Sequence, residues 1–385
     1  MITPRVSISG IGVVSGYGWG REPLWEGLLS GKPAATVGGP AEGGGGPVWA
    51  ARVADGGDPR DGQSRFARAM RAAAREAIQD AEERGWRPGR RVGLLHAVVL
   101  GEVDLWRDFY TARGGKLKVR EYLALMPSTP MSALMQEYGF HGPAMAVSAM
   151  CASGNAGLLT AKAWLDAGIV DDVIFVATDL SLTPENISHF VRLGVAVTKT
   201  DPLDACRPFQ RGSRGFSMGE ASVSFVLTSR AERPYVDTLG GAMSHDAHHV
   251  TSIDPDLTQI TNCMVDALVN AGVPAESVRY FNAHGPGTTQ CDRAEAALLD
   301  RLFPDDTEIY SVKPLTGHCQ GAASAIEVAV AALGYDRGVI PAPPTVAPGH
   351  PRLLNGPTRI SGGLTVKSSI GMGGHNSAVV LAPPA

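Results

Sequence analysis

No stretch of this chain approaches the ~20 consecutive apolar residues that a membrane-crossing helix needs, so no membrane span is expected. Charge is scarce as well. Asp, Glu, Lys and Arg make up 19% of the residues and the net charge is −4, which argues against general attraction to nucleic acid or to an anionic membrane. The five cysteines, Cys151, Cys206, Cys263, Cys291 and Cys319, are odd in number, far apart and without a CxxC pair. They read as reduced thiols of a cytoplasmic protein rather than as a disulfide framework. Met1 to Gly10 leads directly into a strand pattern, so no signal peptide is expected there. Gly10, Gly12 and Gly16 lack the GxGxxG spacing, and no acidic residue closes a second strand about twenty residues on, so a dinucleotide cofactor is not expected.

What the chain has in quantity is glycine and proline, 47 and 27 of 385 residues, beside 44% hydrophobic residues. This is the composition of a compact, turn-rich α/β protein, long enough for one large two-lobed domain or two to three ordinary ones. Its centre is AVSAMCASGNAG, Ala146 to Gly157. A short apolar strand from Met145 to Ala149 runs through Met150 and Cys151 into a helix of small residues and leucines. That places Cys151 at a helix N-terminus, where free N–H groups and the helix dipole favour a thiolate, and where small neighbours leave room for a substrate. A buried structural cysteine is the alternative reading of the same pattern.

In chain order, a strand over Arg5 to Gly18 ends in a glycine-rich turn, and a helix from about Arg21 to Leu29 follows. Thr36 to Pro47, with four consecutive glycines, reads as a surface loop. Ser64 to Glu83 is strongly helical, and Arg65, Arg68, Arg71 and Arg75 form a basic stripe on one side of it. The stripe is either a solvated face or a docking surface for an acidic partner. A strand from Val92 to Leu100, an irregular segment with Trp106, Phe109, Tyr110 and Tyr122, and a short helix from Ser132 to Glu137 lead back to the cysteine strand. The helix from Ala152 to Ala167 is followed by the buried strand of DDVIFVATDL, a long loop and the strand of EASVSFVLTS. Beyond Pro234 the alternation repeats: a strand near Val236 to Met243, a helix from Asp256 to Asn270, the strand SVRYFNAH, a helix from Thr288 to Phe303 and the strand EIYSV. A small-residue helix from Gly317 to Leu333, a proline loop and two strands around Thr365 to Ile370 and Ser377 to Leu381 complete it. Two lobes of similar grammar, residues 1–233 and 234–385, imply an internally duplicated layered structure without an obvious sequence repeat.

Two histidines share the setting of Cys151. His284 ends the strand RYFNAH before a glycine-rich turn into a helix, whose Thr289 and Asp292 suggest a capping box. His318 lies in SVKPLTGHCQGAAS, five residues after Lys313 at another strand end. Reactive groups at three strand ends point to one active site, because sites in α/β proteins collect at the carboxyl ends of strands. Zinc held by Cys151, His284 and His318 fits by residue type but lacks short ligand spacing.

SAMCASG, NAHGPGTT with DRAEA behind it, VKPLTGH followed by GAAS, and GMGGHNSAVVL resemble, in order and spacing, the motifs of elongating β-ketoacyl-acyl carrier protein synthases of the thiolase superfamily. The resemblance spans nearly the whole chain, and is weakest between Pro40 and Ser64 and between Gly101 and Leu125. It implies an α/β thiolase fold, five layers (αβαβα) in two pseudo-equivalent halves, usually a homodimer, with a heterodimer with a related subunit as the alternative. It implies no cofactor and no metal. Cys151 would carry the acyl group as a thioester, and His284 and His318 would stabilise the enolate left when a malonyl unit loses carbon dioxide. Lys313 would orient the histidines and Glu295 would support them. Backbone N–H groups of Cys151 and Met372 would form the oxyanion hole, and Thr288, Met372, Gly373 and Gly374 would contact substrate. Arg65, Arg68 and Arg71 would dock the acyl carrier protein.

Within the superfamily, no cysteine follows Cys319 to act as the second thiol of a degradative thiolase, and His318 stands where initiating synthases of a related branch have an Asn. Several positions depart from the family pattern. Pro286 removes a hydroxyl from the HGTGT motif, Met372 replaces a gating phenylalanine, and His375 replaces a threonine. Gln210 replaces an acid, and Met150 a smaller residue. These departures point to an unusual substrate or partner, and they leave two other readings open: a Cys-dependent acyltransferase to an amine, alcohol or second carrier, and a structural chain-length partner.

Overall fold

The computed structural model describes residues 5–40, 47–112, 119–198 and 200–384. Ten strands build the core in two runs of five. The first run is β1 (Val6–Ser15), β2 (Val92–Ala97), β3 (Ala144–Val147), β4 (Asp172–Asp179) and β5 (Ala221–Thr228). The second is β6 (Val236–His245), β7 (Val278–Asn282), β8 (Glu308–Tyr310), β9 (Leu364–Gly371) and β10 (His375–Ala382). Six helices connect them: α1 (Arg65–Glu83), α2 (Ser128–Tyr138) and α3 (Ser153–Asp166) in the first half, and α4 (Thr258–Ala271), α5 (Thr289–Leu302) and α6 (Ala323–Arg337) in the second.

The strands lie in the order β3-β2-β4-β5-β1-β6-β10-β9-β7-β8. Both halves pair alike: β1 with β5 and β5 with β4 are antiparallel, β4 with β2 and β2 with β3 parallel, and β6, β10, β9, β7 and β8 repeat the pattern. The halves join where β1 meets β6 antiparallel, through Val6 with Thr238, Ser7 with Asp237 and Ile8 with Val236. Helix α1 covers one half and α4 the other, while α3 and α6 pack on each other between the two. The expected five layers and duplication are therefore present, and the small departures at element ends do not move the site.

Residue size sets the layers' spacing. Gly10 and Gly12 of β1 face the alanine stripe of α1, where an added Cβ would lie 2.1 Å from the Ala77 oxygen or 1.9 Å from the Ala73 oxygen. These glycines allow helix and strand to touch. At the centre, a Cβ on Gly154 would sit 2.5 Å from the Ala325 nitrogen and from Ser324 Oγ, so α3 and α6 meet backbone to backbone. Helix α6 is buried on every side from Ala323 to Gly334, as an inner layer requires.

Three local expectations change. Thr36 to Pro47, expected as a loop, begins instead as the strand Thr36–Pro40, which pairs antiparallel with Pro47–Ala51, and its four glycines lie outside the described residues. The irregular segment after Leu100 contains helices Val103–Ala112 and Val119–Ala124. The helix expected from Gly317 to Leu333 starts late: a short helix Lys313–Thr316 precedes it, and only a 3-10 turn Gln320–Ala322 leads into α6 at Ala323. Gly317 turns with φ 72°, and the His318 backbone bonds the Ser217–Gly219 segment instead of a helix, with His318 N–H donating to the Ser217 oxygen at 2.8 Å and Gly219 N–H to the His318 oxygen at 3.0 Å.

The two ends of the strand array differ. Strand β8 is flanked by its own chain, since Ile309 N–H donates to the Arg352 oxygen at 2.9 Å and Leu354 N–H to the Ile309 oxygen at 3.0 Å. Strand β3 is exposed from Ala144 to Ala146, and the helix beside it, α2, carries Val119–Ala124 with exposed Val119, Tyr122 and Leu123. An uncovered apolar edge of this kind pairs with another chain. Sedimentation of the purified protein is expected to give twice the monomer mass, and Ala146→Pro, which removes an outward-facing N–H from that edge, to give one. A monomeric wild type would require a different subunit as the partner.

Candidate active site

Cys151 sits in a turn that its neighbours hold tightly. Met150 takes φ 51°, an unusual conformation for a residue with a side chain, and Ser153 Oγ closes the bend by accepting from Ala149 N–H at 2.8 Å and donating to the Met150 oxygen at 2.6 Å. Ser369 Oγ donates to the Cys151 carbonyl at 3.0 Å, linking the turn to β9. Backbone N–H groups of Met372 and of Cys151 itself act on the sulfur in the direction that favours its thiolate. Burial pushes the thiol up to about 11, against the opposing pull of Lys313 and of these N–H groups. The thiolate expected from the helix terminus alone is thus outweighed in the free protein by loss of water.

His284 follows β7. Its N–H donates to Glu295 Oε1 and the Gly285 N–H to Glu295 Oε2, both at 2.7 Å, so one buried carboxylate from α5 fixes two successive peptides. The capping box expected at Thr289 and Asp292 does not form, because Thr288 is the N-cap and Asp292 instead accepts from Gly287 and Phe209 N–H groups at 3.1 Å. Lys313 Nζ lies 3.3 Å from His284 Nδ1, donates to the His284 carbonyl, and pairs with Glu327 of α6. His318 Nδ1 accepts from Gln320 N–H at 3.1 Å, while Phe216 packs against the ring at 4.7 Å between centroids.

These bonds define the protonation state. With an ammonium against His284 Nδ1 and a peptide N–H against His318 Nδ1, each ring keeps its proton on Nε2. Burial first, and then the charge of Lys313, hold both imidazoles well below the usual histidine range, so both are neutral donors near pH 7. The rings stand 5.4 Å apart at 80°, and Cys151 Sγ and one nitrogen from each lie within 4.8 Å of one another. Zinc would draw such ligands to about 3.5 Å apart, and the Lys313 ammonium beside His284 opposes a dication. The opening suits a carbonyl group.

Cys151, His284 and His318 line a cavity of about 430 Å³ together with Thr288, Met372, Gly373 and Gly374, all expected there from sequence, while Lys313 and Glu295 are buried behind it. Pro286 lines it too, and Met372 leans on the cluster containing Phe190 and Phe216. The expected docking residues are elsewhere engaged. Arg65 pairs with buried Glu220 at 3.0 Å, Arg68 with Asp55, and Arg71 with Glu137 and Asp61, so the α1 stripe is neutralised by acids of its own chain.

Residues 54–233 match the profile described as "Beta-ketoacyl synthase, N-terminal domain" and residues 235–346 the one described as "Beta-ketoacyl synthase, C-terminal domain". The chain belongs to the β-ketoacyl synthase family. It is 30% identical over 420 aligned positions to the tetracenomycin polyketide synthase ketoacyl synthase alpha subunit of Streptomyces glaucescens, covering 99% of this chain and 97% of that one. It is 30% identical over 313 positions to a chloroplastic 3-oxoacyl-[acyl-carrier-protein] synthase I of Hordeum vulgare, covering 76% and 67%. Among solved structures, a type II PKS ketosynthase in complex with its acyl-carrier protein and bound to a hexaketide superimposes with TM-score 0.87 at 24% identity, covering 99% and 100%. The ishigamide ketosynthase/chain length factor does so with TM-score 0.85 at 24%, covering both chains fully (100% and 100%). These last two share the thiolase fold.

Two residues of the synthase site escape the motif reading. Glu327 and Lys367 are both fully buried, 0% exposed, and pair at 2.6 Å behind His284. Each is a lone charge in a stretch that reads as buried, AIEVAV and LTVKSSI, and an isolated charge in a buried element is the signal that marks it. Because Lys313 is the cation that opposes the rise of the Cys151 thiol, Lys313→Met in the synthase should lower the Cys151 alkylation rate by iodoacetamide about tenfold at pH 8, with parity recovered only at higher pH. Equal rates across pH 7 to 10 would show that the ammonium does not act on the sulfur.

Proposed function

We propose that this β-ketoacyl synthase joins a Cys151-bound acyl group to a malonyl-type thioester on an acyl carrier protein, with loss of carbon dioxide. The observation that carries the reading is one cavity lined by the Cys151 thiol and two buried imidazoles whose Nδ1 atoms are engaged by Lys313 and by Gln320 N–H, which leaves their Nε2–H groups for a substrate. Acyl transfer begins when the Cys151 sulfur attacks the acyl thioester carbonyl, its proton passing to the departing carrier sulfur. The N–H groups of Cys151 and Met372 hold the developing oxyanion, and the carrier's thiol leaves with a proton. The malonyl thioester oxygen then accepts from His284 and His318 Nε2–H. The C–C bond to the carboxylate breaks, its electron pair forms an enolate, and these donors stabilise it. The enolate carbon attacks the acyl carbonyl, Cys151 sulfur departs, and a β-ketoacyl chain two carbons longer remains on the carrier. Two aimed imidazoles suit an enolate better than simple acyl transfer to an amine or alcohol, and the nucleophile itself argues against a purely structural subunit.

Substrate choice follows from the departures. Pro286 in the cavity wall leaves Thr288 with less help in holding a pantetheine arm, and flexible Met372 beside Phe190 and Phe216 suits a chain of other shape than a rigid gate would admit. These features, with likeness to a polyketide synthase subunit, support an acyl chain from secondary metabolism. We place the protein in the cytoplasm, a reading supported by five unpaired cysteines; among the described residues no helix is long and apolar enough to cross a membrane.

For carrier docking we favour the cavity mouth over the α1 stripe. Arg207, Arg211 and Arg214 crowd one loop, Arg214 lines the cavity, and none of the three forms an ion pair among the described residues. Gln210 lies between them, its Oε1 accepting from Val346 and Ala347 N–H at 2.8 and 3.0 Å, so the loop is anchored without an acid that would cancel its charge. Such a patch fits an acidic carrier and its phosphate.

Intact-protein mass spectrometry with acyl carrier thioesters tests the chemistry. Wild type should gain an acyl adduct that Cys151→Ala cannot form, and release it as a product two carbons longer only when malonyl carrier is added. Release of an unchanged acyl group to an amine or alcohol would replace condensation with simple transfer. Charge reversal at Arg211 and Arg214 should raise KM for the carrier about tenfold at low salt and flatten its salt dependence, whereas reversal at Arg68 should leave both near wild type. The opposite ranking would return docking to α1.

A further inference from the structure

Behind the reactive groups lies a layer of four charged side chains, Glu295, Lys313, Glu327 and Lys367, every one 0% exposed. Two are cations and two are anions. Glu327 stands between the lysines, with Oε1 on Lys313 and Oε2 on Lys367 at 2.6 Å. Lys313 is already assigned to His284. Lys367 has no part in the reaction described above, yet its ammonium donates to the Ala283 carbonyl at 3.2 Å, contacts the Asn282 carbonyl at 3.4 Å, and binds the Ser368 carbonyl. Asn282 and Ala283 are the two residues that lead β7 into His284.

We propose that Lys367 is a positioning residue of the active site: it shares Glu327 with Lys313, ties the end of β7 to β9, and supplies the second positive charge that keeps the buried layer balanced behind His284. A carboxylate inside a protein is costly unless paired, and two carboxylates with one ammonium would leave an unbalanced negative charge. Lys367 alone makes the set neutral. Its own ammonium is drawn down to about 8 by burial, against the pull of Glu327, as burial also draws the Glu295 carboxyl up.

Loss of this charge has a defined sign. The groups facing His284 are Lys313 and His318 from the segment after β8, Lys367 from β9, Glu327 from α6, Glu295 from α5, and Cys151 from the turn before α3. Lys313, His318 and Lys367 all oppose a proton on the ring, after burial itself. Removing Lys367 leaves the layer one charge negative, so His284 takes up a proton at higher pH. A doubly protonated ring presents Nδ1–H to the Lys313 ammonium, loses its anchor, and no longer aims Nε2–H at the thioester oxygen.

The inference rests on the condensation reading for its effect on turnover, so the test reads both turnover and the ring itself. Malonyl-carrier decarboxylation is followed against pH in wild type, Lys367→Met and Lys367→Gln. In parallel, the His284 signal is titrated by NMR in 15N-histidine-labelled protein, identified by its loss in His284→Gln. Both Lys367 variants should shift the acid limb of decarboxylation and the His284 titration upward by about one pH unit, with activity falling about tenfold at pH values below that titration and near wild type at pH 8. Gln retains a donor for the Ala283 carbonyl without the charge, and covers the case in which Met does not fold. Lower melting temperature with an unmoved limb and an unmoved His284 titration would make Lys367 purely structural and overturn the proposal. Absence of decarboxylation in wild type would instead defeat the condensation reading, while the NMR titration would still decide the role of Lys367.

Discussion

Helices α3 and α6 bring opposite halves of the chain so close at Gly154, Ser324 and Ala325 that one added methyl group has nowhere to go. Everything reactive hangs on that contact. Helix α3 starts two residues after Cys151, α6 follows the His318 turn, and the N–H of Asn155 donates to Ser324 Oγ at 2.9 Å across the junction. Widening the gap by the diameter of a side chain would carry the sulfur away from both imidazoles. Small residues in AMCASGNAG and GAASA therefore serve geometry before chemistry.

The second constraint is electrical. A site dry enough to strengthen hydrogen bonds to an enolate also penalises every charge it contains. Here burial suppresses the thiolate of Cys151 and the imidazolium of His284 and His318, leaving neutral groups at the substrate surface. The full charges stand one layer back, where carboxylates and ammonium groups are paired with each other and with peptide carbonyls. That separation keeps the donors aimed without asking the site to hold net charge between turnovers.

Much of this was legible from the residue pattern, for identifiable reasons. Strands such as DVIFVATD and helices such as Ser64 to Glu83 carry strong periodicity, and the three strand-end motifs bring their own turn signals. The break before α6 was hidden because Gly317 to Ala323 has helix-compatible small residues, and only the pairing of His318 with Ser217 and Gly219 interrupts them. The α1 arginines looked like a free stripe because their partners, Asp55, Asp61, Glu137 and Glu220, come from distant positions that no local pattern connects. Lys367 and Glu327 escape the pattern for the opposite reason: the motifs hold the residues beside the substrate, and these two act from behind.

The two ends of the strand array carry a consequence for assembly. If duplication were complete, β3 and β8 would be equally open, and each chain could recruit a neighbour on both sides, growing head to tail into a filament. The segment around Arg352 to Leu354 prevents this by capping β8 from within. With a single sticky side left, association through it must be face to face about a twofold axis, and it stops at two chains.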